Sequence, residues 1–121
     1  MGAQASDALA RGENETALSL DREGMIAHLK ACQARLEISH PFKKGQLVVW
    51  KKGLKNKRTP AYGQPIIVTE VLPTPLFDEE RGDSGSRHFK ERLTLKAGEI
   101  DLEGEFSCYF YDSRRLAPYV E

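Results

Sequence analysis

Lys43, Lys44, Lys51, Lys52, Lys55, Lys57 and Arg58 are seven basic side chains between Ile38 and Thr69, and no acid interrupts them. Trp50 and Tyr62 edge the densest part of this run. Cations set beside aromatic rings can grip a nucleic-acid strand, with Lys and Arg neutralising phosphates while flat rings stack on bases. Farther along, Arg114 and Arg115 follow Asp112 and Ser113. Asp112 is placed to cap the turn carrying them and to pair with one arginine, and the other is available to an anionic ligand. The candidate ligand-binding set is therefore Trp50, Lys51, Lys52, Lys55, Lys57, Arg58, Tyr62, Arg114 and Arg115. The plainer reading of the same lysines is a solvated loop that keeps a strand edge from aggregating.

A block of opposite sign lies downstream. Glu99, Asp101, Glu103, Glu105 and Asp112 fall between Ala97 and Asp112 without a Lys or Arg. The chain as a whole carries 18 basic and 18 acidic residues and no net charge, so the polarity is local. Opposed blocks on one domain can guide docking to a basic protein or head-to-tail contact between copies. A pI of about 6.8 counts against nucleic acid, whose binding domains are basic overall.

A reacting centre is harder to assemble. Gly82-Asp83-Ser84-Gly85 resembles the nucleophile segment of chymotrypsin-like serine proteases. That chemistry needs an oriented histidine, a buried aspartate and an oxyanion hole, and this chain is too short for the two barrels that carry them. His28 and Cys32 share a helix face but find no second close pair of Cys or His to complete a metal site. Glu70, Glu91 and Asp101 are isolated strand acids, a class that usually faces solvent. No phosphate-cradling loop, zinc-protease helix or dinucleotide fingerprint is present, so no catalytic residue, cofactor or metal is expected. Cys32 and Cys108 are expected as reduced, buried thiols.

These side chains need elements to hold them, and 121 residues allow one domain. No apolar run approaches the roughly 20 residues that span a bilayer, and no secretory pattern opens the chain, so a cytoplasmic protein without membrane contact is expected. Residues 1–18 read as a disordered tail. Over 19–40 an amphipathic helix is predicted, capped by Ser19 or Asp21, with Met25, Leu29, Cys32 and Leu36 on its apolar stripe and Pro41 beyond its end. Strands follow at Leu47–Trp50, Ile66–Leu72 and Phe89–Leu95, then a short one at Ile100–Leu102, a turn at Glu103–Gly104 and a last strand through Phe110. An acidic Gly/Ser-rich loop separates the second and third over 76–87, and Asp112–Leu116 reads as a helical turn. Alternation nominates Leu47, Val49, Ile67, Val71, Leu93, Leu95, Phe106, Cys108 and Phe110 for the core, with Trp50 either core or the floor of a groove.

The run Phe42-Lys43-Lys44-Gly45-Gln46-Leu47-Val48-Val49-Trp50 and the closing Tyr111-Asp112-Ser113-Arg114-Arg115-Leu116-Ala117-Pro118 resemble a small SH3-like barrel, spanning 42–121. The resemblance implies a mainly β, antiparallel fold behind the helix, and a binding domain rather than an enzyme. The expectation is a non-catalytic binding module that favours the phosphate backbone of nucleic acid through its basic turn. The competing expectation is a protein-interaction or self-association module using the opposed charge blocks and the helix stripe.

Overall fold

The computed structural model describes residues 21–78 and 91–121. The tail expected over 1–18, the Gly82–Gly85 segment, Phe89 and most of the acidic loop lie outside those residues.

Asp21 opens helix α1 (Arg22–Glu37) by accepting a hydrogen bond from Gly24 N at 2.7 Å, which satisfies one amide the first turn leaves unpaired. The helix ends ahead of Pro41, where Ile38 is already extended. Its inner face differs from the expected stripe. Met25, Cys32 and Leu36 are half-buried, but Leu29 is exposed, and His28 and Arg35 turn inward instead. The cause is what the helix rests on, a backbone turn rather than an apolar floor. Cys32 Sγ lies 3.7 Å from His28 Nε2 and 3.9 Å from the Gly53 carbonyl, and Arg35 donates to the Lys52 carbonyl at 3.3 Å.

Strands β1 (Leu47–Trp50), β2 (Ile66–Asp78), β3 (Glu91–Ile100), β4 (Phe106–Tyr111) and β5 (Leu116–Pro118) form one sheet in the order β4-β3-β2-β1-β5. Every neighbouring pair is antiparallel, so the described residues are mainly β with one preceding helix, as expected. A 3-10 turn, Ser113–Arg115, leads into β5 where the helical turn was predicted. Ile100 closes β3 instead of starting a strand of its own, and Leu102 sits fully exposed in the hairpin turn. Gly104 takes the positive φ of +82° that this turn requires. Asp101 holds the turn together, its Oδ1 accepting from the amides of Glu103 and Glu105 at 2.9 Å each.

The core comprises Val48, Trp50, Ile66, Val68, Leu95, Ala97, Tyr111 and Leu116. Leu93 and Leu95 are buried as expected, but β1, β2 and β4 are turned over relative to prediction. Leu47, Val49, Ile67 and Cys108 are only half-buried, and Val71, Phe106 and Phe110 are exposed. Pairing explains the reversal. Leu95 lies opposite Tyr111, and directly opposed residues share a face, so burying Leu95 buries Tyr111 and sends Phe110 outward.

Candidate functional site

The long turn between β1 and β2 folds over the core side of β3. Glu91, Leu93, Leu95, Ala97 and Glu99 alternate along that buried side, with an acid at each end. Asn56 donates to Glu91 at 2.7 Å, Lys57 meets the same carboxylate at 3.4 Å, and the Thr59 hydroxyl donates to Glu99 at 2.9 Å. Glu91 is therefore an interior anchor and not the solvent-facing strand acid that its sequence setting implied. The positive turn and the two buried acids of β3 meet inside one molecule.

This arrangement sorts the nine predicted ligand-binding residues. Trp50 is core, with its indole N–H donating to the Pro60 carbonyl at 2.7 Å and its ring edge-on to Tyr111. Lys51 is only 7% exposed, and its ammonium donates to the carbonyls of Arg35 and, at 2.5 Å, Ile38. Those carbonyls lie at the C-terminal end of α1, where a cation is favoured. Burial lowers the Lys51 pKa, and the nearby Asp112 charge works against that shift. Lys57 also rides over the Tyr111 ring, 5.7 Å from its centroid. Tyr62 packs half-buried against the core, its hydroxyl accepting from the Lys55 amide at 3.2 Å. Arg114 is clamped to Asp112, which also caps the 3-10 turn, and this hydrogen bonding raises the Arg114 pKa. Arg115 reaches back to the Leu54 carbonyl at 3.1 Å. Lys52 and Arg58 stand exposed, as do Lys43 and Lys44 just before β1.

The opposite side of the sheet is apolar and open. Lys96, Gly98 and Ile100 face Phe110, Cys108 and Phe106 across the β3–β4 hairpin. A Cβ at Gly98 would come within 2.2 Å of the Phe106 ring, so the tip of that ring covers the glycine. Lys96 extends over Phe110 at 5.7 Å. Ile100 is 57% exposed, Phe106 56% and Phe110 36%. Ile67, registered against Gly98, and Leu47, registered against Ile67, continue the surface across the sheet. β4 is an edge strand whose six residues, Phe-Ser-Cys-Tyr-Phe-Tyr, include neither a charge nor a proline. Edge strands normally carry such residues to block pairing with another chain.

Sequence reasoning placed Phe106 and Phe110 in the core and so missed this surface. Glu99 is named there within the acidic block but not as a buried residue, although continuing the β3 alternation past Leu95 leads to it. Among the described residues, no group of three or more His, Cys, Asp or Glu is placed to hold a metal ion, and no helix is long and apolar enough to cross a membrane. No protein-family model, curated protein or solved structure matches this chain.

Proposed function

We propose that this chain is a protein-interaction module that works through the outer face of the β3–β4 hairpin and the acidic turn beside it. One observation carries the reading: Ile100, Phe106 and Phe110 stand exposed together on a hairpin whose edge strand β4 is uncharged, beside a turn bearing Asp101, Glu103 and Glu105. An apolar patch rimmed by charge is the usual form of a protein contact surface. The strand order, the long β1–β2 turn and the 3-10 turn before β5 support reading the domain as an SH3-like barrel. Two unpaired cysteine thiols suit a cytoplasmic setting. The nucleic-acid reading now draws on Lys43, Lys44, Lys52 and Arg58, because Lys51 and Lys57 serve the fold.

Two measurements separate these readings. A photocrosslinking benzoylphenylalanine in place of Phe106 should give discrete protein adducts in cells that Phe110→Asp suppresses, and the same probe in place of Lys52 should not. Short single- and double-stranded oligonucleotides at low salt should leave the amide spectrum unchanged. Salt-sensitive shifts centred on Lys52 and Arg58 would overturn the protein reading in favour of nucleic acid.

A further inference from the structure

A cleft of about 400 Å³ opens where the β1–β2 turn meets the β3–β4 hairpin. Thr59 borders it from the turn, and Glu99, Ile100, Asp101, Glu103 and Tyr109 from the hairpin. Among the described residues it is lined by three carboxylates and by no Lys, Arg or His. Glu99 is the most enclosed of its lining residues, at 5% exposure. One Glu99 oxygen accepts the Thr59 hydroxyl, and the other, Oε1, has no hydrogen-bond partner among the described residues. Among the described residues such a carboxylate has no ion-pair partner, and one hydrogen bond only partly offsets its removal from water. Lys57 of the same turn is committed to Glu91 at the other end of β3, and Arg58 stands exposed.

The remaining walls suit a particular kind of cation. Tyr109 presents a half-exposed ring, a surface on which a guanidinium or ammonium can rest. Ile100 offers exposed hydrocarbon to the methylene stem that carries such a head group. Asp101 is already fixed by the amides of Glu103 and Glu105, which hold its carboxyl below the usual range and keep its charge at the mouth. We propose that this cleft receives one basic side chain, an arginine or lysine, presented by a segment of a partner protein. The proposal rests on the protein-interaction reading and gives that partner its chemistry: a basic residue beside apolar ones that lie on Ile100 and Phe106.

The test is an amide-resolved NMR titration of the full chain with capped Gly-Arg-Gly, Gly-Lys-Gly and Gly-Gln-Gly peptides. The first two should shift the amides of Thr59, Glu99 to Glu103 and Tyr109, and the glutamine peptide should not. Glu99→Gln keeps the shape and an acceptor for Thr59, and should weaken the arginine peptide about tenfold or more. Should that variant fail to fold, Glu103→Gln in the exposed turn should still weaken binding, by about twofold. No shifts with any peptide, equal shifts with glutamine, or unchanged affinity in a folded Glu99→Gln protein would each overturn the proposal. The same shifts on concentrating the protein alone would overturn the partner assignment and seat a second copy's side chain in the cleft. Silence here with Phe106 adducts intact removes the cleft and leaves the interaction module. Loss of both removes the module as well.

Discussion

Tyr111 shows how much the fold asks of a single side chain. Its ring packs edge-on to Trp50 at 5.7 Å and supports the Lys57 ammonium on its face, yet its hydroxyl is buried with no hydrogen-bond partner among the described residues. Burial, and after it the Glu99 charge, pushes the phenol pKa far above its ordinary 10.0. Removing an unsatisfied buried hydroxyl while keeping the ring takes away a cost and leaves the packing. Tyr111→Phe is therefore expected to hold or raise unfolding stability, by up to about 1 kcal/mol near neutral pH, read by urea denaturation. The alkaline limb supplies a second readout. Above 10.0 the unfolded tyrosine loses its proton while the folded one keeps it, so wild-type stability falls as pH rises toward the folded value. Lys51, with a lowered folded pKa, acts in the opposite sense but does so equally in both proteins. The wild type should thus lose stability relative to Tyr111→Phe above 10.0, and a constant difference across that range would contradict the assignment.

At the scale of elements, the sequence carried more about which segments form than about which way they face. Helix α1, the β-rich remainder, the Glu103–Gly104 turn and the Asp112 cap follow from spacing and capping chemistry that act locally. The phase of β1 and β2 does not, because Leu47-Val48-Val49-Trp50 and Ile66-Ile67-Val68 are apolar on both sides and alternation has nothing to select. In β4 both alternating sets are hydrophobic enough to be core, and only the pairing of Leu95 with Tyr111 decides. Lys51 and Lys52 are adjacent and identical, yet one is interior and the other exposed. Tertiary placement of α1 makes that difference, and the same contact can be tested. Lys51→Met keeps the buried stem but leaves the Arg35 and Ile38 carbonyls without their cation, at an expected cost of roughly 1–2 kcal/mol. Gly53→Ala acts on the same joint, since φ there is +81° and a Cβ would lie 2.8 Å from Cys32 Sγ. In both variants the amides of α1 should lose hydrogen-exchange protection well before those of β2 and β3. Uniform loss across helix and sheet would show that α1 is welded to the core and not docked through Lys51 and Gly53.

For the whole molecule, the sheet has two hydrophobic sides, and the buried core among the described residues lies on one of them. The side bearing Leu95, Ala97 and Tyr111 is closed by the basic turn, which Glu91 and Glu99 tie down from opposite ends of β3. Lys57 with Glu91 and Arg114 with Asp112 pair within the domain, while the acidic hairpin turn and Phe106 stay exposed. Two substitutions on one hairpin distinguish a core from a contact surface. Leu95→Ala opens a cavity in a fully enclosed site and should cost about 2–5 kcal/mol. Phe110→Ser removes a larger side chain, but one that is 36% exposed on the outer face beneath Lys96, so a loss under about 1 kcal/mol is expected. The ranking opposes what side-chain size alone would give, and it opposes the placement of Phe110 in the core that alternation favours. Denaturant titrations of the two variants side by side decide it. A Phe110→Ser loss equal to that of Leu95→Ala would mean that the outer face is covered in the folded protein, leaving no apolar surface there for a partner to meet.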